Sequence, residues 1–340
     1  MRTADFDYHL PPDRIAQRPA EPRDASRLLV LDRETGRCSH HGFGDLPGFL
    51  SLGDALVLNQ TRVLAARLHG KKIPGGGKVE LLLIQREGDR LWQAMVGGRG
   101  LRPGVRIAIP EGPEAEILAD LGGPLRRVRF EEAITPQLDR LGEMPLPPYI
   151  HTPLQHNDEY QTVFARFPGS AAAPTAGLHF TPQLLEEIEA RGVRLVRVTL
   201  HLGMDTFVPV TVEDPEQHTI HREWCRLTPD AADELNAVRN AGGRIVAVGT
   251  TTVRTLETAA RAAPEGQAVG PIEGLSDLFI LPGFVFGAVD AMVTNFHLPR
   301  STLLMMISAF AGRKRILQTY QTAVQEGYRF YSFGDAMLIL

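Results

Sequence analysis

The chain has 340 residues, enough for one large domain or two smaller ones, and its 43% hydrophobic and 22% charged residues are ordinary for a globular protein. It contains no apolar run near the roughly 18 residues that span a bilayer, and Met1–Asp5 shows no start of a secretory signal. Two cysteines without a short-range pattern fit a reducing compartment, and a net charge of −4 argues against binding nucleic acid over the whole surface. We therefore expect a soluble cytoplasmic enzyme.

A nucleic-acid partner would need a local basic patch, and the N-terminal part of the chain offers one. Interspersed acids such as Asp24 and Asp32 also fit a solvated face, so charge pattern leaves both alternatives open. The basic residues are Arg14, Arg18, Arg23, Arg27, Arg33, Arg37, Arg62, Arg67, Lys71 and Lys72.

The first half of the chain is rich in short β-like segments. Strands are predicted at 26–33 and 54–59, and from about residue 64 short runs follow one another between Gly-rich turns. Short strands at this spacing, without helical periodicity, indicate a small barrel. The runs lie at 64–69, 79–85, 91–96, 105–109, 114–119 and 125–130.

The second half has an α/β pattern. Thr181-Pro182 and Thr228-Pro229 each predict a helix N-terminus, because Thr caps well and Pro is tolerated at the first helical position. Glycines end both helices, and strands are predicted after them. These strands lie at 193–201 and 244–249, and buried helices are predicted at about 252–262, 301–311 and 313–326.

The predicted fold is therefore an α/β body with an inserted small β-barrel domain. The Pro-rich segment 144–150 predicts the end of the insertion. We assign 1–63 together with 145–340 to a discontinuous α/β catalytic domain, and 64–144 to the barrel.

Two segments combine small or hydroxyl residues with a polar group. Strand 244–249 runs into Thr250, Thr251 and Thr252 and a helix with Arg254, a junction that suits a phosphate or carboxylate. A capped helix without a ligand is the alternative. The loop 168–180 allows close approach to a ligand and carries Thr175, His179 and Phe180, although a tight crossover loop fits equally well.

Two further segments follow apolar runs. His201 and Asp205 lie beyond a predicted strand, where open α/β sheets place active sites, although a lone His at a strand end is often structural. Asn295 and His297 share a face if their segment is extended. A loop anchored by Asn295 is the alternative there.

Metal and common nucleotide motifs are missing from the sequence. His218, His221, Glu223 and Cys225 lie close together, but their spacing is not that of a standard zinc site, so we expect no metal. Neither G-x-G-x-x-G after a strand, a P-loop, a nucleophile elbow nor H-E-x-x-H occurs.

Motifs along essentially the whole chain closely resemble the S-adenosylmethionine:tRNA ribosyltransferase-isomerase family of queuosine biosynthesis. PTAGLHF and TNFHLP-x-ST, in this order, are the most specific. Others include DFDYHLP, RDASRLLVLDR, LNQTRVLAARLHGKK, HTIHRE, IVAVGTTTVRTLE and YRFYSFGDAMLIL.

The resemblance implies that the ribosyl part of S-adenosylmethionine is transferred to the aminomethyl group of a 7-deazaguanine at the tRNA wobble position. Isomerisation then gives epoxyqueuosine, and adenine and methionine leave. It further implies a β-barrel inserted into an α/β domain. The expected partners are tRNA and S-adenosylmethionine, which is consumed as a substrate with no further cofactor, and we expect a monomer.

The chemistry of this reaction suggests roles for the candidate residues. A base must remove the proton on C5′ that the sulfonium acidifies, and an acid should protonate the departing adenine. We predict His179, His201 and His297 as the acid–base pool. The predicted substrate-binding residues are Asn59, Thr61, Arg62, Thr175, Phe180, Phe207, Thr250, Thr251, Thr252, Arg254 and Asn295.

Within that set, Thr250, Thr251, Thr252 and Arg254 are predicted to hold the methionine carboxylate, and Phe180 or Phe207 to stack on a base. Phosphate contacts are predicted from the basic residues near the start of the barrel, Arg62, Arg67, Lys71 and Lys72.

The chain departs from the family pattern at two places. Gln60 stands where the family usually has Asp, and Met204-Asp205 stand where it has Ala-Gly. Two other functions remain open: a non-catalytic tRNA-binding protein, and an atypical S-adenosylmethionine-dependent tRNA methyltransferase. Release of adenine would exclude the first, and loss of a methyl label with methionine would exclude the second.

Overall fold

The computed structural model describes residues 1–203, 210–220 and 222–340. The chain forms two compact units. The first comprises Met1–Thr61, Pro148–Phe167 and Ala173–Leu340, and the second comprises Arg62–Pro147 and Pro168–Ala172.

The described residues form seventeen strands. In chain order they are β1 (Arg27–Leu31), β2 (Cys38–Gly42), β3 (Ala55–Asn59), β4 (Thr61–Val63), β5 (Arg67–Ile73), β6 (Lys78–Arg86), β7 (Leu91–Gly97), β8 (Arg106–Ala108), β9 (Ala115–Gly122), β10 (Leu125–Phe130), β11 (Phe167–Ser170), β12 (Arg194–Leu200), β13 (Glu223–Leu227), β14 (Ile245–Val248), β15 (Ile272–Ser276), β16 (Ala291–Asn295) and β17 (Ala336–Ile339).

Six α-helices accompany them. They are α1 (Leu138–Leu141), α2 (Pro182–Ala190), α3 (Pro229–Asn240), α4 (Thr250–Arg261), α5 (Thr302–Ala311) and α6 (Arg313–Gln325). Side-chain oxygens of Thr181, Thr228 and Ser301 accept the backbone N–H three residues ahead and so cap α2, α3 and α5.

The first unit is built on a mixed nine-stranded sheet in the order β15-β13-β12-β3-β14-β16-β17-β1-β2. Strands β12, β3, β14 and β16 run parallel to one another. Their carboxyl ends therefore meet at one edge of the sheet, which is where ligands of open α/β sheets bind.

Alternate side chains of the central strands enter two separate cores, as the period of two in a strand requires. Val57 and Ala247 pack with residues of α3, α4, α5 and α6. Leu56 and Val246 pack on the other side with α2 and the 3₁₀ segment Phe43–Phe49. The sheet is thus covered by helical structure on both faces, which keeps the parallel strands out of water.

The second unit is a closed six-stranded barrel in the order β10-β7-β6-β5-β8-β9, with antiparallel pairing throughout. Its strands alternate buried and exposed positions, as in β5, where Leu68 and Gly70 are buried and His69 and Lys71 are exposed. A Cβ on Gly70 would lie 2.6 Å from the Ile107 side chain, so glycine is required for β5 and β8 to approach this closely.

The predicted fold class is confirmed, with some elements displaced or missed. The run predicted at 64–69 becomes a strand only from Arg67. The elements that were not predicted are β2, β4, β11, β13, β15, β16, β17 and the short helix α1. The domain boundaries drawn from sequence remain a prediction. In the described ranges no helix is both long and apolar enough to cross a bilayer.

Candidate functional site

A cleft lies at the edge of the first unit where the parallel strands end. Three adjoining hollows form it: Thr250 and Thr251 are shared by the first and second, Thr175, Asn295 and His297 by the second and third, and Leu303 by all three. Six of the residues predicted from sequence therefore line one cleft: Thr175, Thr250, Thr251, Arg254, Asn295 and His297.

The threonines at the start of α4 divide into two kinds. Gly249 turns the chain from β14 into α4 with φ of 87°, a conformation that favours glycine. Thr250 and Thr251 follow and line the cleft. Thr252 is completely buried and donates its hydroxyl to the Val248 carbonyl at 2.7 Å, so its side chain is engaged within the helix start.

The guanidinium of Arg254 already has protein partners. It forms a buried ion pair with Glu223, and its Nε and Nη2 donate to the carbonyls of Leu278 and Ser276 at 2.9 and 3.1 Å. Glu223 in turn accepts the N–H of Gly203 at 3.0 Å. The pair of Arg254 and Glu223 is costly to break because it is buried. A ligand carboxylate near Arg254 therefore meets a neutralised ion pair and not an isolated positive charge.

His297 lines two of the three hollows and has a neutral ring. Burial lowers its pKa to about 3, because the charged imidazolium loses its hydration. Its Nε2 lies 2.7 Å from the Thr294 hydroxyl, and its backbone N–H donates to the hydroxyl of Tyr320 at 2.9 Å. Within the described residues no hydrogen bond reaches Nδ1, which leaves that nitrogen for a ligand.

His179 lies behind the cleft wall. Its Nδ1 is 2.8 Å from the Ser26 hydroxyl, and its Nε2 is 3.3 Å from Nδ2 of Asn295. The ring stacks on Phe43, with centroids 4.9 Å apart. Burial, followed by the charges of Arg329 and Arg23, lowers the pKa of His179 to about 3, so this ring is also neutral.

Asn59, Thr61 and His201 form a brace beside the cleft. The Asn59 amide bonds the backbone N–H and carbonyl of Leu200, each at 3.0 Å, and its Nδ2 also reaches the Thr251 hydroxyl at 3.2 Å. The Thr61 hydroxyl lies 2.8 Å from Nδ1 of His201, which stacks on Trp224. Burial lowers the pKa of His201 to about 4.

The remaining predicted residues lie elsewhere. Phe180 is fully buried in the core, edge-on to Phe43. Phe207 and the Met204-Asp205 departure fall outside the described residues, whereas Gln60 is buried and donates to the Thr199 hydroxyl at 3.3 Å. The four predicted phosphate contacts, Arg62, Arg67, Lys71 and Lys72, belong to the barrel unit.

Sequence reasoning missed aromatic residues that shape the cleft. Tyr149 and Tyr331 line the third hollow, with ring centroids 4.7 Å apart. Tyr331 has φ of 72°, which is strained for an aromatic residue and often marks a functional site. The YRFYSFGD motif was a signal for importance, but positive φ at a tyrosine has no sequence signature.

The described residues contain no group of three or more His, Cys, Asp or Glu side chains arranged to hold a metal ion. His221, one member of the cluster considered from sequence, falls outside these residues.

Neutral buried histidines make the free energy of unfolding depend on pH. The folded pKa of His179 is below its usual value, so the unfolded state binds more protons between the two pKa values. The titration of His179 therefore leaves the free energy of unfolding unchanged above about pH 6.5. Below that pH it lowers the free energy of unfolding progressively, until the pH reaches about 3. Replacing the ring with a non-titrating side chain should weaken this dependence.

We expect urea unfolding between about pH 6 and pH 5 to show a shallower decline for His179→Gln than for the wild type, by up to about 1.4 kcal/mol per pH unit. The exposed His9→Gln serves as the control and should keep the wild-type slope. Equal slopes in all three proteins would show that the His179 ring is not held neutral.

The chain is similar to known proteins along its whole length. The sequence profile of the family described as "Queuosine biosynthesis protein" matches residues 3–339. Proteins named S-adenosylmethionine:tRNA ribosyltransferase-isomerase from Symbiobacterium thermophilum and Moorella thermoacetica are 54% and 52% identical to this chain. Each comparison covers 100% of this chain and 100% of the relative. A crystal structure of S-adenosylmethionine tRNA ribosyltransferase from Thermotoga maritima is 40% identical, with a TM-score of 0.58 over 99% of this chain and 100% of that one. The chain therefore belongs to the queuosine biosynthesis protein family.

Proposed function

We propose that this chain is an S-adenosylmethionine:tRNA ribosyltransferase-isomerase. It transfers the ribosyl part of S-adenosylmethionine to 7-aminomethyl-7-deazaguanine at the tRNA wobble position and isomerises it, giving epoxyqueuosine-tRNA, adenine and methionine. The observation that carries the proposal is the cleft at the ends of the parallel strands, in which residues of the GTTT, PTAGLHF and TNFHLP motifs meet.

His297 is the favoured member of the predicted acid–base pool of His179, His201 and His297, since of the three it lines the cleft. The Thr294 hydroxyl can donate to Nε2 or accept from it, so Nδ1 can present either a lone pair or a proton. The free nitrogen can therefore accept a hydrogen bond from a reacting group or donate one to it, at C5′ or at the departing adenine, which is the contact that proton transfer requires.

The methionine part is proposed to lie in the first hollow. Thr250 and Thr251 supply hydroxyls and first-turn N–H groups of a twelve-residue helix, where the helix dipole favours a carboxylate. The paired carboxylate of Glu223 lies in the same hollow and suits the ammonium group of the amino acid. Arg254 then acts by holding Glu223 in place.

The reaction is tested with two labelled forms of S-adenosylmethionine and a tRNA that carries the aminomethyl base. Adenine should appear in equal amount to ribosylated tRNA, and a methyl label should leave with methionine. A non-catalytic tRNA-binding protein would release no adenine. A methyltransferase would leave the methyl label on the tRNA, and either result would contradict the proposal.

Loss of His297 should stop turnover without unfolding the protein. We expect His297→Ala to lower kcat by about 10²- to 10⁴-fold, the usual effect of losing a general acid or base. His40→Ala is the matched control, because His40 lies on β2, where its ring is hydrogen-bonded to the Tyr328 hydroxyl, and it does not line the cleft. A folded His297→Ala protein with near wild-type turnover would remove His297 from the acid–base pool.

The proposal needs no cofactor beyond S-adenosylmethionine, which is itself consumed, since its sulfonium already activates the reacting carbon. A tRNA substrate also supports the cytoplasmic location expected from the sequence. The expected monomer remains a prediction.

The barrel unit is the proposed docking surface for tRNA. It carries fourteen basic and eleven acidic side chains, whereas the rest of the chain carries twenty-two basic and twenty-nine acidic ones. The barrel unit therefore has a positive net charge, although the whole chain has a net charge of −4. A basic surface attracts the phosphates of nucleic acid.

Ion pairs restrict which basic side chains of the barrel can serve. Arg62 and Arg67 are paired with Asp139 and Glu80 at 3.3 and 3.5 Å. Among the described residues no carboxylate is paired with Lys71, Lys72, Lys78 or Arg99.

These four residues lie close together, and we refer to them as the basic tip. Lys71 stands directly opposite Lys78 in the antiparallel ladder, and Lys72 donates to the Arg99 carbonyl at 2.7 Å. Like charges in opposite positions destabilise a sheet, so this arrangement favours an anionic partner that relieves the repulsion. The predicted patch thus retains Lys71 and Lys72 and gains Lys78 and Arg99.

Charge removal at the basic tip should reduce the salt dependence of tRNA binding. If both lysines contact phosphate, Lys71→Gln with Lys78→Gln should flatten the slope of log affinity against log salt by roughly 1.4 to 1.8. The control is Arg127→Gln with Arg129→Gln, which removes the same charge from β10, where both arginines are paired with glutamates. The same slope in both double variants would remove the basic tip as a phosphate site.

A further inference from the structure

Three asparagines are buried in the first unit, and one of them differs from the others. Oδ1 of Asn59 accepts the N–H groups of Thr61 and Leu200, and Oδ1 of Asn236 accepts those of Ala268 and Val269. Oδ1 of Asn295 has no hydrogen-bond partner in the described part of the chain, although Asn295 is only 3% exposed. A buried acceptor without a partner is destabilising and needs an explanation.

The orientation of the Asn295 amide is fixed by its other end. Its Nδ2 donates to the Tyr331 carbonyl at 3.1 Å and to Nε2 of His179 at 3.3 Å. Both hydrogens of the amide are thereby used. A flipped amide would bring Oδ1 against the Tyr331 carbonyl, where two acceptors repel, so the oxygen is held in its unpartnered position.

His179 completes this arrangement from behind. When its Nε2 accepts from Asn295, the neutral ring carries its proton on Nδ1 and donates it to the Ser26 hydroxyl at 2.8 Å. The strained backbone of Tyr331 holds the carbonyl on the other side of the amide. The orientation of the Asn295 amide is therefore fixed by Ser26, His179 and Tyr331. In that orientation Oδ1 has no donor among the described residues.

The surroundings of Asn295 indicate what supplies the missing donor. Asn295 lines the second and third hollows of the cleft, and the third has Tyr149, Phe296 and Tyr331 in its wall together with Leu298 and Leu303. Aromatic and aliphatic walls around a single polar group are typical of a pocket for a flat ring.

We propose that Oδ1 of Asn295 accepts a hydrogen bond from an N–H group of a nucleobase bound in the cleft, and that His179 is a positioning residue that fixes the amide for this contact. The inference rests on the proposed function, which brings two nucleobases to the cleft: the adenine of S-adenosylmethionine and the modified 7-deazaguanine. Both carry N–H donors, and the experiment separates them.

The test measures binding affinities of the wild type and Asn295→Ala for matched pairs of ligands. One pair is S-adenosylmethionine and its analogue with hydrogen in place of the adenine amino group. The other is an anticodon stem-loop whose wobble base has or lacks its 2-amino group. The wild type should discriminate within one pair by about 10- to 100-fold, because the analogue leaves Oδ1 unpaired, and Asn295→Ala should lose that discrimination. The pair affected identifies the base.

Asn236→Ala is the matched control. It removes a buried asparagine of α3 whose amide oxygen and nitrogen both have partners, at Gln267, Ala268 and Val269. It should keep the wild-type discrimination. If Asn295→Ala does not fold, His179→Gln and His179→Phe give the answer. Gln keeps an acceptor facing Nδ2 and should retain the discrimination, whereas Phe keeps only the ring shape and should lose it.

The pH profile of turnover separates positioning from acid–base catalysis by His179. His179→Gln should keep the shape of the wild-type profile, whereas loss of one limb would make His179 an acid or base and overturn the positioning role. If Asn295→Ala keeps the wild-type ratio of affinities within both ligand pairs, the proposed hydrogen bond from the nucleobase to Oδ1 is wrong. Failure of the wild type to release adenine would instead contradict the proposed function, independently of these affinities.

Discussion

The hydrogen bonds of the Asn59 amide hold together the edge of the sheet on which the site depends. This one side chain bonds both backbone groups of Leu200 at the end of β12, the Thr61 N–H beyond β3, and the Thr251 hydroxyl in the first turn of α4. Parallel strands leave their carboxyl ends together, but nothing in the ladder fixes the loops that leave them. A buried amide with every group satisfied supplies that constraint, and it sets where Thr61 meets His201 and where Thr251 meets the cleft.

Burial then determines the charge state of the site. His179, His201 and His297 all lose hydration, and none receives a carboxylate partner among the described residues, so each is neutral near pH 7. The buried charge that does occur, Arg254, is compensated by Glu223. A sulfonium ligand therefore enters a cleft whose histidines carry no positive charge to repel it.

Local signals in the sequence were sufficient for helices α2 to α6 and for the motifs that meet in the cleft. Thr181, Thr228 and Ser301 cap helices because capping depends on residues three positions apart. Features that depend on distant residues were not predictable. Glu223 neutralises Arg254 from another strand, β17 pairs with β1 from the opposite end of the chain, and Phe180 is in the core although its motif contributes Thr175 to the cleft. A single sequence specifies no such pairing without the fold.

The unpartnered oxygen of Asn295 and the strained backbone of Tyr331 are two unfavourable features of the same hollow of the cleft. Each lowers the stability of the free protein, and each could be relieved by a small change: a donor near Oδ1, or glycine at 331. They adjoin through one hydrogen bond, so relief of one would disturb the other. Both residues line a hollow with aromatic walls, so a flat ligand with a donor can pair the Asn295 oxygen there. A ring that brings its own N–H donor therefore binds in the cleft more tightly than a ring of the same shape without one, because only the first pairs the buried Asn295 oxygen.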